Sequence, residues 1–380
     1  MNIRRILSIS SIALLVASVF VAPTFAAGNP NCTEVDGDYI VTFSKGASIA
    51  NEVKNINGKQ VNPRFMYSEA LNGFAGFLTG EQVCVLKKRG NVLDVEADQV
   101  VTIDIDQSGA TWGLDRTDQQ SLPLNSTYSY VSTGLGVDAY VIDTGILGTH
   151  NEFAGRMKSG FSAIGSSTDT TDCNGHGTHV AGTIGGTAYG IAKSVSLVPI
   201  RVFGCTGSTT NSAIIAGINW AITHHIPGVK AVANMSLGGG VSSALDTAVN
   251  NLINDGVTVV VAAGNSRQDA CKSSPARVSA AITVAASDRN DSFASFSNLG
   301  KCVDIIAPGV SITSAWYTST AAINTISGTS MAAPHVAGAL ARALGNNQLA
   351  SIIVTSSTPN KISRVPRGTP NRLLYMAPTS

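Results

Sequence analysis

Apolar residues along this chain keep two different rhythms, and the change of rhythm divides it. Between residues 38 and 104 the periods are short and mixed. "YIVTF" (39–43) alternates every second residue, as a strand with one buried face does. "ASIANEVKNI" suits a helix, "NGFAGFLTG" a strand, "EQVCVLKKRG" a helix, and "NVLDVEAD" with "QVVTID" two short strands. As a compact α/β unit they predict a small ferredoxin-like domain, whose pattern is βαββαβ. "DQSGA" (106–110) then reads as a polar hinge between domains.

Beyond residue 110 the apolar runs lengthen. "GVDAYVIDTGI", "VSLVPIRVF", "AVANMSLGG", "VTVVVAAGN" and "AAITVAAS" are nearly continuous, as strands buried on both faces of a parallel sheet are. Helical patterns lie between them, such as "NSAIIAGINWAITHH" (211–225) and "SSALDTAVNNLINDG" (242–256). Leu245, Ala248, Val249 and Leu252 share one face of the latter. Alternating strand and helix predicts a doubly wound, mostly parallel α/β sheet with helices on both faces. Functional side chains then belong at the carboxyl ends of strands.

The first 26 residues differ again. Arg4 and Arg5 precede an apolar run diluted by four serines, and Pro23 leads into small residues ending at Ala26. That layout predicts a secretory signal peptide rather than an anchor. No other stretch reaches the ~20 apolar residues of a membrane span. The expected division is 1–26 signal, 27–105 small domain and 106–380 large domain.

A formal net charge of +1 over 380 residues gives no electrostatic reason to bind nucleic acid or a membrane surface. Export permits disulfides, and the chain carries six cysteines, at 32, 84, 173, 205, 271 and 302. Spacing alone leaves their pairing open.

The chemistry gathers around "SGTSMAAP" (327–334), where Ser330 stands at the start of a helix-like run. A serine there is a cap unless a base, an orienter and oxyanion donors exist elsewhere. Asp143 ends the strand "DAYVID", and a carboxylate buried at a strand tip needs a donor such as an imidazole. His176, in "CNGHGTHVAG", has glycines that let substrate approach and is chosen as base; His179 would share its helix face. Asn265 closes "VTVVVAAGN", where its amide can face an oxyanion together with the Ser330 N–H. A nucleophile elbow of the α/β-hydrolase kind requires a carboxylate after the serine, yet no Asp or Glu follows Ser330. Asp143, His176, Ser330 is instead the subtilisin order. Two rival readings are a zinc hydrolase using Cys173, His176 and His179, and a non-catalytic binding protein on a protease fold.

With "VIDTGI", "NGHGTHVAGTIGG", "NMSLGGG", "VAAGN" and "SGTSMAAPHVAG" in order, residues 110–380 resemble the subtilisin family of serine proteases. Within it they resemble the proteinase K group and its aqualysin-like secreted bacterial branch. Val180, where proteinase K has a cysteine, favours that branch. The resemblance implies a monomeric endopeptidase acting on polypeptides, with Asp143 as orienter, His176 as base and acid, Ser330 as nucleophile and Asn265 as oxyanion donor. It implies that Gly207 and Ser208, and Ser236, Leu237 and Gly238, form edge strands for the substrate backbone. Ala262 and Gly264 would line an uncharged pocket favouring apolar or aromatic side chains before the scissile bond. Residues 27–105 resemble more weakly an inhibitory propeptide that occupies the cleft and is cut off by the enzyme between about Asp104 and Gln107. Cys173–Cys205 and Cys271–Cys302 follow the same pattern, while Cys32 and Cys84 are left as a propeptide pair or free thiols. No catalytic cofactor is implied, but structural Ca2+ is. One site would use Asp304 with carbonyls of Ser279 and Ala281, Ser279 replacing the family's proline. Another would use Asp115, Asp118 and Gln119.

Overall fold

The structure, a computed structural model, describes residues 32–98 and 105–377, so the expected signal peptide and the segment "QVVTID" lie outside the described residues. It separates into two units, with the break in sequence between residues 101 and 102.

In the first unit, β1 (Gly37–Phe43), α1 (Ile49–Glu52), β2 (Phe65–Tyr67), β3 (Gly73–Leu78), α2 (Gly80–Leu86) and β4 (Val92–Ala97) follow one another. The antiparallel sheet has the order β2-β3-β1-β4, the ferredoxin-like arrangement. Alternation in β1 turns Tyr39, Val41 and Phe43 into a core with Phe74, Leu78, Val83, Leu86 and Val95. Thr79 and Gln82 cap α2 reciprocally, each side chain bonding the other's backbone N–H. Strand β2 has no periodicity of its own and was absent from the sequence expectation; it exists through pairing with β3, Phe65 opposite Ala75. Cys32 and Cys84 are joined in a disulfide within this unit.

The hinge expected at 106–110 is largely strand: β5 (Ile105–Ser108) pairs with β6 (Thr127–Tyr130) on either side of α3 (Trp112–Thr117). Its polar side chains also bond across the fold, Ser129 Oγ donating to Asp106 and Gln107 Nε2 to the Ala188 carbonyl. The main sheet comprises β7 (Val137–Asp143), β8 (Phe161–Ser162), β9 (Ser196–Arg201), β10 (Lys230–Met235), β11 (Thr258–Ala262), β12 (Ile282–Ser287), β13 (Ile305–Pro308), β16 (Thr358–Pro359) and β17 (Arg372–Leu373). A separate hairpin is formed by β14 (Ile312–Ala315) and β15 (Ile323–Ile326). The order is β16-β17-β13-β12-β11-β10-β7-β9-β8, parallel throughout except at β16.

Both faces of this sheet are buried. Val137, Ala139 and Val141 of β7 join one core, while Tyr140 and Ile142 join the other. The first core packs α4 (His176–Gly185) and α7 (Thr329–Gly345); the second packs α5 (Asn211–His224) and α6 (Ser243–Asn254). Near the end lies the short α8 (Ile352–Thr355). Helix α7 is buried from Met331 to Ala343, and its alanines and Gly338 let neighbouring elements pack close. A Cβ on Gly338 would stand 2.6 Å from Ile191 Cβ. The chain leaves β7 for β9 on one side and later returns to β10 on the other. That reversal opens a crevice at the carboxyl ends of β7 and β10.

Candidate active site

Asp143, the last residue of β7, is 1% exposed. Its carboxylate accepts the Thr144 N–H and lies 2.8 and 3.0 Å from His176 Nδ1. His176 is the first residue of α4, preceded by Gly175 at φ 109°. A side chain at 175 would meet the Trp316 ring at 2.5 Å, so glycine serves both conformation and space.

A residue not singled out from the sequence holds this corner together. Asp172, 4% exposed, accepts N–H bonds from Asn174, Gly175 and Thr178 and hydroxyl bonds from Thr144 and Thr178. Thr144 Oγ1 in turn accepts the Gly177 N–H at 2.8 Å. The signal available in "DCNG" is an aspartate preceding a turn, which does not reveal its distant partner Thr144. Burial lowers the pKa of His176, but the charge and hydrogen bond of Asp143, and then the charge of Asp172, outweigh it. The net shift is upward from the ordinary 6.5.

Ser330 lies in the first turn of α7, and its hydroxyl donates to the Ser236 carbonyl at 3.2 Å. His176 and Ser330 line one cavity of about 290 Å³, although Oγ makes no hydrogen bond to the imidazole in this conformation. Pro334, four residues on, has no N–H for the Ser330 carbonyl. Ser236 Oγ supplies the donor at 2.8 Å, and Asn234 Nδ2 donates to that same hydroxyl.

Asn265 follows β11, and Oδ1 accepts both the N–H and the hydroxyl of Thr329. Thr329 Oγ1 also accepts the Gly264 N–H. With its oxygen committed, Asn265 turns Nδ2 to the other side, 3.5 Å from where a Gly328 Cβ would stand. Asn265 and Ser330 border a second cavity of about 450 Å³, walled by Leu237, Ala262, Gly264 and Ala276. The same lining contains Gln268 and Lys272, which the sequence reading left out.

Gly207, Ser236, Leu237 and Gly238 line the smaller cavity, and Ser208 a neighbouring one. The expected edge strands are loops here: 207–208 follows β9 and 236–238 follows β10. Strand geometry is defined by pairing, and these segments have no partner strand.

Cys173–Cys205 and Cys271–Cys302 are disulfides. Cys173 is therefore no thiolate, while His179 bonds the Ile312 carbonyl and His176 bonds Asp143. The zinc reading of Cys173, His176 and His179 fails on the prior use of all three. Burial pushes His179 and His335 down to about 4, which keeps them neutral in the core.

The candidate calcium residues fall in two places. Asp115 accepts the Asn125 and Ser126 N–H groups and Asp118 the Ser129 N–H, while Gln119 donates to the Ser121 and Pro123 carbonyls. Burial raises Asp115, and burial together with the charge of Asp115 raises Asp118 to about 6. Asp118 Oδ1 is buried without a partner. An orphaned acceptor beside a second carboxylate fits a cation. Asp304 accepts the Thr283 N–H two residues beyond Ala281, and burial raises it too; Ser279 is exposed. Among the described residues no three His, Cys, Asp or Glu side chains cluster as metal ligands, so either site would draw on amide or carbonyl oxygens.

Residues 136–369 match the family described as the subtilase family, Peptidase S8. The chain is 56% identical over 316 residues to the extracellular serine proteinase of Thermus sp. (strain Rt41A), covering 82% of this chain and 77% of that protein. It is 46% identical over 322 residues to alkaline serine exoprotease A of Vibrio alginolyticus, covering 82% of this chain and 59% of that protein. A crystal structure of a cold-adapted subtilisin-like serine proteinase aligns with TM-score 0.68 at 51% identity, covering 70% of this chain and 98% of that one. The order of the motifs, the doubly wound sheet and these relatives lead to one assignment: the chain belongs to the subtilase family.

Proposed function

We infer that this chain is a secreted serine endopeptidase, with Asp143, His176 and Ser330 as its triad and Asn265 as an oxyanion donor. The observation that carries this reading is the buried Asp143 carboxylate on His176 Nδ1, with His176 and Ser330 lining one cavity. When Nδ1–H donates to Asp143, Nε2 carries the lone pair and serves as base. Ser330 Oγ turns from the Ser236 carbonyl, gives its proton to Nε2 and attacks the peptide carbonyl carbon. The imidazolium then protonates the leaving amine, and a water molecule repeats the sequence to free Ser330. Asn265 Nδ2 and the Ser330 N–H donate to the oxyanion. Substrate backbone pairs with the loops at 207–208 and 236–238. The walls of Leu237, Ala262 and Gly264 favour apolar or aromatic side chains before the scissile bond.

In this reading residues 1–26 are removed on export. Residues 27–105 act as an intramolecular inhibitor until cleavage between about Asp104 and Gln107, and the mature enzyme is a monomer. Ser330→Ala protein should accumulate at full length while wild type separates into two pieces. Normal maturation of that variant in an isolated, protease-free preparation would overturn self-cleavage, and activity untouched by a serine-directed sulfonyl fluoride would overturn the triad.

Calcium would be structural, held by Asp115, Asp118 and Gln119, with a second site at Asp304 and the carbonyls of Ser279 and Ala281. Folding raises the Asp118 pKa from 3.8 to about 6, so without a cation its ionisation costs stability as pH climbs through that window. Adding calcium at pH 7 should raise the unfolding temperature, and Asp118→Asn should remove most of that rise.

A further inference from the structure

The pocket beside Ser330 and Asn265 has one charged residue in its lining, Lys272. We propose that Lys272 tunes this pocket for substrates carrying a glutamate immediately before the scissile bond. The inference rests on the serine endopeptidase reading and deepens it to a substrate class.

Four observations support it. The main chain at Lys272 is fixed: its N–H donates to the Asp269 carbonyl, Asp269 Oδ1 caps the turn at Cys271, and Cys271 is tied to Cys302. The Lys272 ammonium forms no ion pair or hydrogen bond among the described residues, so no internal acid neutralises it. Asn298, another polar residue of the lining, is already committed: its oxygen takes the Ser266 and Gln268 N–H groups and its nitrogen donates to the Ala263 carbonyl. Among the described residues no carboxylate lines the pocket, so an entering anion meets Lys272 and the unpaired amide of Gln268.

The physical match is with a side chain that is apolar along its stem and anionic at its tip. The methylenes of glutamate lie on the Leu237, Ala262 and Ala276 walls, and its carboxylate takes the ammonium. The same ammonium repels lysine and arginine. Lys272 is solvent-exposed, so its effect is modest and screened by salt.

The test compares kcat/KM for peptides that differ only in Glu, Gln or Phe before the scissile bond, at pH 7.5, with wild type, Lys272→Met and Lys272→Glu. The wild-type Glu-to-Gln ratio should exceed one by about threefold and shrink at high salt. Lys272→Met should bring it to one and Lys272→Glu below one, each value taken relative to the same enzyme's rate on the Phe peptide. A Glu-to-Gln ratio that neither substitution moves overturns the proposal. Failure of wild type to cleave any of the three peptides would instead overturn the endopeptidase reading beneath it.

Discussion

Two helices of the second unit start at a side chain proposed to react, and their surroundings carry opposite chemistry. Around His176 at the start of α4 stand two buried carboxylates, Asp143 and Asp172. The groups hydrogen-bonded around Ser330 at the start of α7 are neutral: Asn265, Thr329, Ser236 and backbone amides. A helix N-terminus disfavours a cation and welcomes an anion. The imidazole gains positive charge in the proposed reaction, so its helix start needs compensating anions. The oxyanion gains negative charge, so its helix start needs donors and no carboxylate. In the proposed reaction each neighbourhood suits the charge that would appear in it, not the resting charge.

Breaking the anionic side should have the largest effect. Asp143→Asn should keep the fold yet lower kcat by about 10⁴-fold, because an amide can hold the ring in the wrong tautomer. Circular dichroism with steady-state kinetics separates the two outcomes, and near-normal kcat in a folded variant would remove Asp143 from the triad. On the neutral side, Thr329→Val keeps the shape and the backbone N–H bond but removes the hydroxyl bond to Asn265 Oδ1, loosening the amide. The expected loss in kcat is about tenfold to a hundredfold, short of the 10²–10³ for deleting a donor outright. A change confined to KM would place Thr329 outside transition-state stabilisation.

The smallest effect sharpens the comparison through pH. Because the His176 pKa lies above 6.5 in the folded protein, neutral base appears only above that raised value, and activity falls as pH drops through it. Stability runs the other way: the gain from pairing imidazolium with Asp143 is full below 6.5 and fades as pH rises through the raised value. Asp172→Asn removes one of the charges that lift the pKa, so the acid limb of kcat/KM should move to lower pH. An unmoved limb would mean that Asp172 acts through its hydrogen bonds alone.

Much of this architecture was legible in the sequence. Strands buried on both faces announce themselves as unbroken apolar runs, and Asp143 and Asn265 were visible as polar residues ending such runs. The missing parts owe their existence to remote partners. β2 and β5 are short strands formed by pairing with β3 and β6, and nothing local in "FMY" or "DQSGA" requires them. Asp172 looked like any turn aspartate because Thr144 and Thr178 approach it only after folding. Lys272 was invisible for the opposite reason: "ACKSS" lies outside the apolar run "VVVAAG" that suggested the pocket wall, and tertiary packing brings it to the rim.

Pro334 carries a mechanical consequence. Its ring denies the first turn of α7 a bond to itself, and the turn is fastened to the end of β10 through Ser236 instead. The segment proposed to grip a peptide and the residue proposed to attack it are thus clamped into one block. Any displacement of the strand end would carry the Ser330 turn along with it, holding the distance between grip and blow in the proposed reaction.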